Sequence, residues 1–126
     1  MAAAPTTTLK TTHLIRDCCL CLHVQRTARA LARRFDEALR PVGLTNGQFS
    51  LMMSLNRPEP ASIKSVAALL GLDRTTLTAA LKPLERRGLV KVTTDRADKR
   101  SRCLLLTSSG LTKYGIWCNG VCLSTV

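Results

Sequence analysis

The sequence predicts one mainly α-helical domain with a small β-hairpin towards its C-terminal end, on three observations. At 126 residues the chain has room for one domain. Its apolar residues recur at helical spacing in several stretches. A β-branched run, Leu89 to Thr94, is followed by a charged tip, Asp95 to Ser101, and then by a Leu-rich run, Arg102 to Thr107, which is a hairpin pattern. With 45% hydrophobic residues the chain can build a core, unlike a disordered basic tail.

Residues 1–11 read as a disordered tail. From Thr12 to Leu39 there is no Gly or Pro, and Leu14, Cys18, Cys21, Ala28, Ala32, Phe35 and Leu39 lie on one helical stripe. This predicts one long helix stopped by Pro41 and Gly43. Thr45 and Gln48 form a capping box, and Leu44 with Phe49 has the spacing of a hydrophobic staple. They open a second helix that runs to Leu55. Pro58 and Pro60 mark Asn56 to Ala61 as a loop.

Ser62 caps a short helix carrying Ile63, Val66, Ala67 and Leu70, with Gly71 at its C′ position. Asp73 caps the next helix, in which Leu77, Ala80, Leu81 and Leu84 repeat the spacing until Gly88. Two short helices across so tight a Gly-containing turn form a helix-turn-helix pattern. Pro83 should kink or shorten the second helix. A last helix can start after Thr107, weakened by Gly110, Gly115 and Gly120.

The formal charge is +11, from 19 Lys and Arg against 8 Asp and Glu. A folded basic chain points to nucleic acid, an anionic membrane or an acidic partner. No apolar run approaches the roughly 18 residues of a spanning helix, and Met1 to Thr8 lacks the pattern of a signal peptide. The expected location is the cytoplasm, with no membrane partner. Aromatic residues make up 3% of the chain, too few for the stacking platforms of single-strand and RNA binders. Double-stranded DNA is the expected target.

Lys82 to Arg102 holds eight bases against three acids, Glu85, Asp95 and Asp98. On the second helix of the helix-turn-helix, Arg74, Thr75, Thr78 and Lys82 fall opposite the apolar stripe, placed to reach base edges. Lys82, Arg86 and Arg87 are suited to phosphates. Arg96, Lys99 and Arg100 at the hairpin tip add to the same DNA-binding set.

This order of elements, with a tip reading Asp95-Arg-Ala-Asp98-Lys-Arg100 before Leu106-Thr107-Ser-Ser-Gly110, resembles the MarR family of winged helix-turn-helix transcriptional regulators. The resemblance implies a homodimer on a pseudo-palindromic operator, with 45–107 as the winged helix-turn-helix and 12–39 with 108–126 as the dimerisation region of a single domain, 12–126. By position, Asp98 would brace the wing, Arg100 would enter the minor groove and Arg74 to Lys82 the major groove. Only 16 residues follow Gly110, fewer than the family's C-terminal helices occupy. Either dimerisation rests on the first helix and this tail, or the chain is a shortened version of a longer protein.

The six cysteines leave three readings open. Cys21 is central on the first helix's apolar stripe and Cys18 is about 60° away, so both can be small core hydrophobes. They can also share a soft metal or metalloid ion if Cys103, Cys118, Cys122 or the other subunit supplies a third ligand. The MarR resemblance adds the third: hydroperoxide-sensing members carry a reactive Cys at the position of Cys21 and, in some, a resolving Cys that Cys118 or Cys122 would match. Two Tyr residues that accompany the reactive Cys there correspond to Phe35 and Asn46 here. His13 and His23 read as surface residues.

No phosphate loop, zinc-finger spacing or Ser/His/Asp set supports catalysis. The expected function is a DNA-binding regulator, a repressor released by oxidation or soft-metal binding at cysteine. The alternatives are a thiol-based metal or redox protein without specific DNA binding, and a regulator induced by a small aromatic ligand.

Overall fold

The computed structural model describes residues 6–120. The chain divides between Arg34 and Phe35 into two compact units.

The N-terminal unit holds two helices, α1 (Leu9–Cys18) and most of α2 (Leu20–Leu39). Helix α1 begins inside the segment read as a disordered tail, because Thr8 caps it: its hydroxyl oxygen accepts the Thr11 N–H at 3.3 Å. The single long helix expected from Thr12 is instead broken at Cys19, which is extended at φ −74°, ψ 99°. Neither Gly nor Pro marks the break. Side chains compensate for it: the His23 imidazole donates to the Asp17 carbonyl at 3.0 Å, satisfying an acceptor at the end of α1. No residue from Thr6 to Arg34 is buried. The part of the apolar stripe in this unit is not covered by any described residue: Leu14 is more than half exposed, as are Leu20, Val24 and Leu31 beside the stripe. Cys21, expected among buried neighbours, is exposed.

The C-terminal unit starts with the last turn of α2. Arg40–Val42 form one 3₁₀ turn containing Pro41, and Gly43 closes it at φ 68°. Helix α3 (Asn46–Leu55) opens with the predicted capping box, both halves of which are made. Helices α4 (Ile63–Leu70) and α5 (Arg74–Arg86) follow. Helix α5 continues through Pro83 to Arg86, and the Pro83 carbonyl accepts the Arg87 N–H at 3.1 Å. The shortening expected from Pro83 does not occur, because the proline falls in the last turn.

The hairpin strands are β2 (Val90–Thr94) and β3 (Arg102–Leu106), with Val90 opposite Leu106 and Thr94 opposite Arg102. A further strand, β1 (Ala61–Ser62), pairs with the other edge of β3, Ala61 opposite Leu104 and Ser62 opposite Cys103. The antiparallel sheet order is therefore β1-β3-β2. The sequence reads Ala61 as loop, because two residues are too few to show alternation.

Helix α6 (Ser108–Gly120) closes the described chain. Its Trp117, 1% exposed, packs on Phe49 at 4.3 Å between ring centroids and on Phe35 at 6.3 Å. Leu39, Leu51, Met52, Leu77, Leu84, Val90 and Leu104 complete one core beneath the sheet and helices. Gly110 does more than weaken α6. A Cβ there would overlap the Leu89 carbonyl oxygen and stand 3.1 Å from Leu106 Cδ2. The first turn of α6 thus lies directly on the chain entering the hairpin, where Thr107 Oγ1 donates to the Gly88 carbonyl at 2.6 Å and accepts the Gly110 N–H at 3.0 Å.

Candidate nucleic-acid interface

The α4–α5 turn is built by its two caps. Gly71, at φ 65°, ends α4 in the left-handed conformation that only glycine adopts without cost. Asp73 starts α5: its carboxylate accepts the Thr76 N–H at 2.8 Å and the Thr76 hydroxyl at 2.7 Å. These bonds, the backbone one foremost, hold Asp73 below its ordinary value. Leu77, Leu81 and Leu84 of α5 are buried, so the opposite face is presented to solvent. Arg74, Thr75, Thr78 and Lys82 are all exposed on it. The Thr78 hydroxyl donates to the Arg74 carbonyl at 2.7 Å, which leaves its methyl and lone pairs for an outside contact.

Arg86 and Arg87 are exposed at the end of α5. Arg86 Nε donates weakly to the Lys82 carbonyl at 3.4 Å, while the Arg87 guanidinium lies over the Gly43 backbone.

The hairpin tip is held by its acids. Asp95 accepts the Ala97 N–H at 2.9 Å, and its own N–H donates to the Ser101 carbonyl at 2.9 Å. Asp98 accepts the Ser101 hydroxyl at 2.7 Å and the Arg100 N–H at 3.0 Å. Those two bonds, in that order, lower the Asp98 pKa from its ordinary value. With both acids bonded within the tip, Arg96, Lys99 and Arg100 remain exposed and make no ion pair with another described residue. The arrangement is a hydrogen-bonded loop projecting three cations beside an exposed helix. Strand β1 ties the two together: it is hydrogen-bonded to the wing's β3 and leads directly into α4.

A profile of the MarR family matches residues 44–101. The regulator SarZ of Staphylococcus haemolyticus is 31% identical over 103 residues, covering 82% of this chain and 69% of SarZ. The chain belongs to the MarR family. Among solved structures, the Mycobacterium tuberculosis transcriptional regulator MosR in complex with DNA superposes with a TM-score of 0.71 at 37% identity, covering 80% of this chain and 76% of MosR. The organic hydroperoxide resistance regulator of Bacillus subtilis is 29% identical over 91 residues, covering 72% of this chain and 62% of that protein. The first relatives are matched over 48% to 69% of their own lengths.

In this MarR-family chain the cysteines are dispersed. Cys18 and Cys21 are exposed and belong to different helices, separated by the break at Cys19. Among the described residues no group of three or more His, Cys, Asp or Glu is placed to hold a metal. The soft-metal site built on Cys18, Cys21 and a third described cysteine is not assembled within one chain. Cys103 is buried in β3, where desolvation first and Asp95 second push its thiol up. Cys118 is half-buried beside the core, and Cys122 lies outside the described residues.

Gln25 is a residue the sequence reading passes over. One turn beyond Cys21, its amide donates to the Cys21 sulfur at 3.4 Å; the i, i+4 spacing was the available signal. The two positions occupied by Tyr in hydroperoxide sensors are used structurally here. Phe35 packs on Trp117, and the Asn46 N–H donates to Asp36 at 2.6 Å. Among the described residues no helix is long and apolar enough to cross a membrane.

Proposed function

We propose that this chain is a sequence-specific duplex-DNA-binding regulator that acts as a homodimer on a pseudo-palindromic operator. The observation that carries the proposal is the exposed polar face of α5 beside a wing whose acids are bonded within its own tip. Arg74 and Thr75 enter the major groove at the start of α5, with Thr78 behind them; Lys82, Arg86 and Arg87 meet phosphates. Arg100, supported by Arg96 and Lys99, enters the minor groove, with Asp98 bracing the tip. The structure of MosR in complex with DNA supports the same mode of binding. A dimer gives the uncovered apolar residues of α1 and α2, together with exposed Leu111 and Ile116 of α6, a surface to be buried against. Two-fold symmetry then sets half-sites roughly 34–36 Å apart.

The regulator is a repressor, and oxidation of Cys21 is its release signal. The accessible sulfur with its Gln25 donor, and the likeness to a hydroperoxide resistance regulator, support this reading. The Cys21 sulfur would take the terminal OH of a hydroperoxide as the O–O bond breaks, and the departing alkoxide would take the proton lost by the thiol, giving a sulfenic acid and an alcohol. Duplex binding is tested by fluorescence anisotropy across a salt series, where log K should fall by about 0.9 per log salt for each phosphate contacted. A flat salt dependence would remove the DNA-binding reading and favour a thiol-based redox protein. In the same assay Cys21→Ser keeps duplex affinity and loses release by hydroperoxide; a variant still released by peroxide shows that Cys21 is not the sensor.

A further inference from the structure

The part of α2 within the N-terminal unit carries a feature that the winged helix-turn-helix does not use. Arg26, Arg29 and Arg33 follow at i, i+3 and i+7 and fall within about 60° of one another around the helix. With His23, Thr27 and Ala30 they line an open concave surface of about 500 Å³ that contains no acid. None of the three guanidiniums makes a hydrogen bond or ion pair with another described residue; the ion pair found among those residues is Arg16–Asp17. An ordinary solvated helix face interleaves acids and bases, whereas no acid occurs between Leu20 and Phe35. Like charges at i, i+3 and i, i+4 repel, so the stripe works against its own helix until an anion neutralises it. Its centre also lies between about 130° and 175° around the helix from Val24, Ala28 and Leu31. A dimer closed through the apolar side leaves the basic side open.

We propose that this stripe is a second duplex-DNA contact, which takes the phosphates of one strand without reading their bases. The inference rests on the DNA-binding reading above. Seven residues of rise carry the three side chains over about 10 Å, enough for two or three phosphates of a strand that rises roughly 3.4 Å along the duplex axis per nucleotide. A compact anion would reach one or two of them; a linear polyanion reaches all three. Guanidiniums hold phosphate oxygens in pairs, which suits backbone contact. The backbone has two sources, the flank of the bound operator or a separate duplex.

The test compares R26Q/R29Q/R33Q with the charge-matched control K10Q/R40Q/R57Q, both checked for unchanged helicity. The immobilised probe is a duplex enriched on the protein from a random pool, and the second probe is a labelled random-sequence duplex. If the flank is the ligand, the salt slope for the enriched duplex shrinks in the stripe variant by about 2 to 3 for each protomer, so by about 5 for the dimer, by much less in the control, with the preference for the enriched sequence kept. If a separate duplex is the ligand, the slope holds and wild-type and control proteins capture the labelled duplex, while the stripe variant loses that capture. A stripe variant that matches the control in both readouts overturns the proposal. A wild-type protein with no salt-dependent duplex binding instead overturns the DNA-binding reading itself.

Discussion

Two glycines of one helix should respond in opposite directions to the same substitution. In Gly110→Ala the new methyl group meets backbone: it overlaps the Leu89 carbonyl oxygen, with the Leu89 carbonyl carbon at 3.0 Å and Leu106 Cδ2 at 3.1 Å. That oxygen also accepts the Thr107 N–H at 3.1 Å, so moving it loosens the bond that joins α6 to the start of the hairpin. Overpacking against groups that cannot rotate away costs up to about 3 kcal/mol. Ala recovers about 1 kcal/mol of helix propensity, so the net loss is about 2 kcal/mol. At Gly115 a Cβ meets no described residue within 4 Å, so Gly115→Ala keeps the propensity gain and stabilises by about 1 kcal/mol. Urea unfolding at one fixed protomer concentration reads both, since oligomerisation couples stability to concentration. With a slope of about 1–3 kcal/mol per molar, the Gly110→Ala midpoint falls by roughly 1 M and the Gly115→Ala midpoint rises by a fraction of that. Equal midpoints for Gly110→Ala and wild type would refute the close packing of α6 on Leu89.

Other perturbations follow from individual bonds. Arg100→Ala should weaken duplex binding roughly tenfold and flatten the preference for A/T flanks, measured by anisotropy on duplexes differing only in the flank; unchanged binding means the wing does not reach the groove. Thr45→Ala removes the hydroxyl acceptor of the capping box and should cost about 1 kcal/mol by urea unfolding, with a neutral effect counting against the cap. Asp73 and Asp98 titrate below the ordinary carboxylate value in the folded chain. Their contribution is therefore complete above the unfolded value, about 3.9, and is lost as pH falls through the folded values. Stability should hold from pH 7 to about 5 and decline below about 4, less steeply in Asp73→Asn and Asp98→Asn. A decline of the same steepness in those variants would place the acid sensitivity elsewhere.

Much of the interface is legible from local chemistry. Asp73, Gly71, Ser62 and Thr45 act through hydrogen bonds or backbone conformations within a few residues of themselves, so their side chains announce the helix ends directly. The exposed face of α5 is fixed by the periodicity of Leu77, Leu81 and Leu84, which leaves Arg74, Thr75, Thr78 and Lys82 outside. The wing's register is equally local, because Asp95 and Asp98 bond within the tip. What escapes is what depends on distant partners. Strand β1 exists because β3 offers it an edge about forty residues later in the chain; the break at Cys19 is the local exception, spanned by the His23–Asp17 bond and marked by neither Gly nor Pro.

The cysteines show the same division. Periodicity correctly places Cys21 on an apolar stripe, yet it carries no information on whether anything covers that stripe. Within one chain nothing does, and the sulfur is exposed with Gln25 as its donor. Gly110 is read from sequence as a helix weakener, since propensity is a property of the backbone alone; the Leu89 carbonyl that makes it necessary comes from another segment. By itself the sequence determined the helix ends, the turn, the polar face of α5 and the cations of the wing, because each is set by bonds or periodicity over a few residues. The tertiary structure decided the third strand, the fit at Gly110 and the exposure of Cys21. Those outcomes depend on which surfaces meet, and burial is a relation between segments that no single segment encodes.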